Sequence, residues 1–189
     1  RLWKSPLPVF AWGQYTGDLK RGIAALKYNN QPQMARLFGQ WLGQQWCASA
    51  IAKQVRQSRR SLIVVPVPAN EAKKKRRGYD QAELIAKAFC HYTKIPLDLQ
   101  RVIRIEDTKP MHGLSSAERQ RNVRGKFQLH SRFKPQQKYR SQAILLLDDI
   151  HTTGSTVNAI AHLLRQHQML VYGTVALAKA GLGQDGPPD

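Results

Sequence analysis

The chain has 189 residues, 42% of them hydrophobic, which is enough for one domain with a buried core. Thirty Lys and Arg against twelve Asp and Glu give a net charge of +18; such a surface attracts polyanions over long range, so nucleic acid enters as a partner class. No apolar run reaches the roughly 18 residues of a membrane span, no secretory signal opens the chain, and Cys47 and Cys90 make neither a disulfide framework nor a zinc ribbon, reading instead as buried thiols of a cytoplasmic protein.

Leu19, Ile23 and Leu26 recur at i, i+4 and i+7, so Gly17–Tyr28 is expected to be an amphipathic helix. After the break at Asn29 to Pro32, a helical stripe of Met34, Leu37, Phe38, Trp41 and Leu42 continues toward Gln57. Trp41 and Trp46 read as core residues or as platforms for stacked bases. Ser61–Val67 (SLIVVPV) has the β-branched composition of a buried strand and ends in Pro66-Val67-Pro68, which must leave the sheet. The basic run Lys73–Arg77 follows, then Asp80 and a helix with Ile85, Ala88, Phe89 and Tyr92 on one face. Leu97–Arg104 reads as a strand, and Ile105–Gly125 as a long functional loop of the kind that forms lids. Lys126–His130, Ala143–Asp148 and Met169–Ala178 are further strands, with a helix carrying Val157, Ile160, Ala161 and Leu164 before the last. Alternating strands and helices imply a parallel α/β sheet. The organisation expected is an N-terminal helical segment over residues 1–58, an α/β core over 59–180 and a frayed tail over 181–189.

The chemistry concentrates in Leu145–Val157 (LLLDDIHTTGSTV). An apolar strand ends in Asp148 and Asp149, five small residues Thr152, Thr153, Gly154, Ser155 and Thr156 follow, and a helix begins. A helix N-terminus offers unpaired N–H groups and partial positive charge to a phosphate. Gly154 permits close backbone approach, and the hydroxyls add donors. The carboxylates stand where open α/β sheets place ligands, able to accept from sugar hydroxyls or help hold hydrated Mg2+. His151 within the loop is either a general acid or base or a bystander.

This segment resembles the phosphoribosyl pyrophosphate motif of type I phosphoribosyltransferases: hydrophobic residues, two acids, a variable pair, then Thr-Thr-Gly-x-Thr. The resemblance implies a mostly parallel twisted sheet flanked by helices, with a flexible hood loop. It implies that Asp148 and Asp149 hold the ribose hydroxyls, that Thr152 to Thr156 cradle the 5′-phosphate, and that Mg2+ sits near the two acids. Val65–Ala86 (VPVPANEAKKKRRGYDQAELIA), Asp107–Phe127 (DTKPMHGLSSAERQRNVRGKF) and Leu26–Tyr28 (LKY) further resemble the ComF competence-protein family. That family is associated with DNA uptake in natural transformation and with incoming single strands. The resemblance therefore implies phosphoribosyl pyrophosphate or a nucleotide as ligand, and single-stranded DNA and competence proteins as partners. The family often carries an N-terminal zinc ribbon; no such cysteines stand in this sequence, so no zinc is expected, as in a truncated chain or a shorter subtype. Asp80 stands where the family usually has Asn, and Met111 where its hood usually has Gln.

Arg77, Lys109 and Arg119 are candidates for the leaving pyrophosphate, with Lys27 behind them. Lys73–Arg77 is five consecutive cations, and Arg119–Leu147 holds eight Lys and Arg with no acid, interleaved with Phe127, Phe133 and Tyr139. Lys73, Lys74, Lys75, Arg76, Arg121, Arg124 and Lys126 are accordingly DNA-binding candidates. Two functions stay open: a phosphoribosyltransferase, or a non-catalytic single-strand-binding module on the same fold.

Overall fold

The computed structural model describes residues 7–57, 60–105, 125–131 and 142–181. In chain order these form β1 (Val9–Gln14), α1 (Gly17–Tyr28), α2 (Met34–Ala48), α3 (Ala50–Gln57), β2 (Ser61–Pro66), α4 (Glu71–Arg77), α5 (Gln81–Thr93), β3 (Val102–Arg104), β4 (Phe127–Leu129), β5 (Gln142–His151), α6 (Ser155–Gln166) and β6 (Leu170–Lys179). Four strands pair in the order β1-β6-β5-β2, every pair parallel. β3 and β4 form a separate antiparallel pair. The expected mostly parallel sheet flanked by helices is therefore the fold.

Parallel strands covered on both faces carry apolar residues at every position. In β5, Ala143, Leu145 and Leu147 join a core with α1, α2, α3 and α5, while Ile144 and Leu146 join a second core with α6 and the β3–β4 pair. The two cores are filled by side chains of 0–9% exposure, Phe89 and Leu164 among them at 0%. α2 lies so close on α5 that a Cβ on Gly39 would stand 2.5 Å from Ala88 Cβ and 2.6 Å from Ile85 O. Glycine is the only residue that this helix contact admits.

The helices after β2 and β5 leave to opposite faces: α5 packs into the first core and α6 into the second. Neighbouring strands whose helices leave to opposite faces make a topological switch point, and α/β sheets bind ligands at the carboxyl ends of such strands, here β2 and β5.

Several sequence expectations need correcting. β1 (VFAWGQ) has no counterpart among them; it adds an edge strand to β6, so the N-terminal segment supplies sheet as well as helix. The helix expected to run from Met34 toward Gln57 breaks at Ser49, which is extended and whose hydroxyl donates to Trp46 O. The Leu97–Arg104 strand is divided: Leu97 makes one parallel bridge to Val64, Asp98 turns the chain by accepting from Gln100 N, and only Val102–Arg104 is strand, paired elsewhere. The cations Lys73–Arg77 are helical, because Asn70 caps Lys73 N and Gly78 ends the helix in the left-handed region at φ +81°. Of the two cysteines, Cys90 is buried, its thiol pushed up to about 12 by burial, while Cys47 is only half-buried. The long Ile105–Gly125 segment springs from the base of the β3–β4 pair, where Ile105 N donates to Lys126 O, and residues 106–124 lie outside the described residues. Among the described residues no helix is long and apolar enough to cross a membrane.

Candidate functional site

β5 does not stop at the two acids. It continues to His151 because β6 pairs with it that far, Asp148 opposite Ala176 and His151 opposite Lys179. The acids therefore lie within the paired length of the strand, and successive strand residues point to opposite faces. Asp149 faces α1: its Oδ2 stands 3.0 Å from Lys27 Nζ, and both side chains are almost wholly buried. The contact is a charge pair rather than an aligned hydrogen bond, since Oδ2 has no directed donor. Asp148 instead lines an open cleft with Ile150, His151, Thr152, Thr153, Gly154, Ser155, Thr156 and Val157. Its Oδ1 accepts from Asp149 N at 2.8 Å.

The cleft floor is the start of α6. Gly154 is its N-cap, at φ +74°, and no side chain caps the helix. The first N–H groups of α6 have no intrahelical acceptor, the arrangement that can take an anion. Around them stand the half-buried Thr152, Thr153 and Thr156 and the buried Ser155, with Thr153 Oγ1 and Ser155 Oγ sharing a 2.8 Å hydrogen bond. His151 packs against the glycine: a Cβ there would meet its Cε1 at 2.9 Å. Burial, then the nearby Lys179 charge, lowers the His151 pKa, so the ring is neutral near pH 7.

Among the described residues, the electrostatics set Asp148, Asp149 and Asp80 against the buried Lys27. Burial, then the Asp149 charge, raises Asp148 to about 7, against the downward pull of Lys27 and of the Asp149 N–H. Asp80 adds to the acidity from the α5 N-cap, where its Oδ1 accepts from Glu83 N at 3.1 Å and its Oδ2 from Ala69 N at 2.9 Å. Both oxygens are thus used on backbone, a double acceptance that Asn at this position could not supply. Burial lowers Lys27, but the charge and close approach of Asp149, with Asp148 behind them, outweigh it and hold the ammonium above the usual lysine value.

The sequence-predicted residues divide as follows. Asp148 and Thr152 to Thr156 come together in the cleft. Asp149 is adjacent and paired with Lys27, the weaker of the pyrophosphate candidates. Arg77 donates from Nη1 to Gln81 Oε1 at 3.0 Å and lies over the Tyr28 ring, outside the residues that line the cleft. Lys75 and Arg76 are exposed on α4, and Lys73 and Lys74 are half-buried. Lys126 sits half-buried at the base of the β3–β4 pair. Lys109, Arg119, Arg121 and Arg124, with Met111, lie outside the described residues. Trp46 is core, whereas Trp41 is 40% exposed and tilts against Trp12 at 5.4 Å. Asp80 is the acid that sequence reasoning did not assign to the site; its place before a helical apolar face signalled only a cap.

Comparison with known proteins bears on the family of the chain. Residues 47–187 match the family model described as "Phosphoribosyl transferase domain". Competence protein F of Haemophilus influenzae is 34% identical over 154 residues, 82% of this chain and 65% of that protein. DNA utilization protein YhgH of Salmonella typhi is 29% identical over 156 residues, 79% of this chain and 62% of that protein. The chain thus spans a little under two thirds of these relatives' length, 65% and 62%. Among solved structures, hypoxanthine phosphoribosyltransferase from Trypanosoma cruzi is similar at 14% identity, with a TM-score of 0.44 over 84% of this chain and 74% of that one.

Proposed function

We propose, for a chain that belongs to the phosphoribosyl transferase domain family and to its ComF competence-protein branch, that the α6 cleft binds the ribose 5-phosphate unit of phosphoribosyl pyrophosphate or a nucleotide. The observation that carries this is the uncapped α6 N-terminus at Gly154, ringed by hydroxyls, with Asp148 on the same cleft. The helix end supplies N–H donors to three phosphate oxygens, and Thr152, Thr153, Ser155 and Thr156 supply O–H donors. Asp148 accepts from a ribose hydroxyl, and the resemblance gives Asp149 the same role.

Mg2+ fits this donor set. The ion takes hard oxygen ligands, keeps several waters, and needs one or two carboxylates besides substrate phosphates. Asp148 has one oxygen engaged by an N–H and, among the described residues, feels the charges of Asp149 and Asp80 against that of Lys27. Asp148, on the cleft, would hold the ion, with Asp149 beside it in the strand adding negative charge; the ion would supply charge neutralisation for a leaving pyrophosphate. Arg77, Lys109 and Arg119 are the chain's own cations for that group.

The role proposed for the protein is in DNA uptake during natural competence, in keeping with relatives named competence protein F and DNA utilization protein YhgH, and the compartment proposed for it is the cytoplasm. A second reading, a non-catalytic module for single-stranded DNA, is favoured by α4, where Lys73, Lys74, Lys75 and Arg76 sit on a helix with no buried residue. Competence proteins are the partners proposed with either reading.

Thermal unfolding with added phosphoribosyl pyrophosphate, ribose 5-phosphate or a free base, each with Mg2+, tests the first reading. Ligand at about 100 times its Kd stabilises by about 2.7 kcal/mol. The two phosphorylated sugars are expected to raise the wild-type Tm and to have little effect on a Thr153→Val/Thr156→Val variant. Equal shifts in both proteins would remove the cleft from the account.

A further inference from the structure

Lys27 lies outside residues 47–187, the span that the family model matches, yet its ammonium reaches the strand that carries the acids. Its Nζ stands 3.0 Å from Asp149 Oδ2, and the side chains are 11% and 6% exposed. Burying such a pair costs desolvation that hydrophobic residues of similar size would avoid, so stability alone is a weak reason for it.

Two further contacts fix the same helix end. Tyr79 donates its hydroxyl to Leu26 O at 2.5 Å. The Arg77 guanidinium lies 5.4 Å from the centre of the Tyr28 ring. Leu26, Lys27 and Tyr28 thus each meet a partner: Tyr79 in the turn between α4 and α5, Asp149 on β5, and Arg77 at the end of α4. The last turn of α1 is a clamp across both carboxyl-end segments of the crevice.

We infer that α1 is part of the ligand site, with Lys27 as a positioning residue that fixes the Asp148–Asp149 pair for the hydroxyls of a ribose 5-phosphate unit. This rests on the reading of the cleft given above. Without the ammonium, adjacent carboxylates with Asp80 beyond them would repel one another, and the Asp149 side chain would be free to turn. The phosphate half of the ligand is held by other groups, the α6 N-terminus and its hydroxyls. Recognition of sugar and of phosphate are therefore separable.

The experiment compares inorganic phosphate with ribose 5-phosphate by calorimetric titration into the full chain. The proteins are wild type, Lys27→Met, Lys27→Arg and the double variant Lys27→Met/Asp149→Asn. The double variant removes both charges, so no buried carboxylate is left unpaired. Wild type is expected to prefer ribose 5-phosphate by about tenfold or more, as hydrogen bonds to a charged acceptor imply. Lys27→Met and the double variant are expected to lose that preference while still binding phosphate, and Lys27→Arg to regain part of it. Folded variants that keep the wild-type preference, or that lose both ligands equally, would overturn the inference. Unfolding of both charge-deleting variants would assign the pair to stability and overturn it too. A wild type that binds phosphate without preferring the sugar would overturn this inference alone. A wild type that binds neither would overturn the cleft reading beneath it.

Discussion

Replacing Asp148 with Asn removes a charge that burial and Asp149 disfavour, at almost unchanged volume. The carboxyl is raised from 3.8 to about 7 in the folded chain. Each pK unit is worth about 1.36 kcal/mol, so the ceiling on the effect is roughly 4 kcal/mol. The sign follows from the raised folded value. Well below the unfolded value of 3.8 the group is protonated in both states and Asp148 costs nothing. As pH rises toward 7 the unfolded chain releases its proton first, and stability falls with pH; above the folded value of about 7 the loss is complete. Asp148→Asn should therefore lie close to wild type near pH 4 and gain stability as pH rises to 7, with a plateau of about 2–4 kcal/mol above. Urea unfolding at pH 4, 5.5, 7 and 8, without divalent metal, reads this directly. A difference that does not change with pH, or that favours wild type at pH 8, would refute the reasoning. A gain in stability at the expense of ligand binding is the pattern of a site whose charges serve a ligand.

Other perturbations follow from the same geometry. Gly39→Ala forces a Cβ to within 2.6 Å of Ile85 O, so it should destabilise by about 1–3 kcal/mol in a denaturant titration; a neutral result would contradict the α2–α5 packing. Replacing Lys73, Lys74, Lys75 and Arg76 together with Gln should weaken binding of single-stranded DNA. It should also flatten the salt dependence by about 0.7 for each phosphate that is no longer neutralised; an unchanged slope in fluorescence anisotropy would detach α4 from the DNA reading. Trp41→Ala should leave the fold intact, because the ring is 40% exposed, and should lower single-strand affinity by about 1–3 kcal/mol if a base stacks there. Equal affinities in the two proteins would return Trp41 to an ordinary surface role.

The sequence carried the parts of this fold that are local. Ala143–Leu147 is apolar at every position because the strand is covered on both faces, and that composition reads without a structure. The acid pair and the small residues after it stand out in a chain with only twelve acids. What was not legible depends on partners distant in sequence. β1 is a strand because β6 offers it an edge, and its own residues, with Gly13 among them, show no clear period. β5 runs on through its acids for the same reason. The Lys27–Asp149 pair joins positions that no spacing rule connects, although the Leu26–Tyr28 motif marked the place. The helicity of Lys73–Arg77 is legible in principle: Asn70 before Glu71, and Gly78 after Arg77, are start and stop signals that the run of charge obscures.

The most direct test of the central claim is a calorimetric titration of phosphoribosyl pyrophosphate with Mg2+ into wild type and into Asp148→Asn. The account predicts saturable binding by wild type and affinity lowered about tenfold or more in the variant, the loss expected when a charged acceptor becomes neutral. Folded wild type that releases no heat and gains no thermal stability at millimolar ligand would contradict it, and the α6 cleft would then be a phosphoribosyltransferase fold without its ligand.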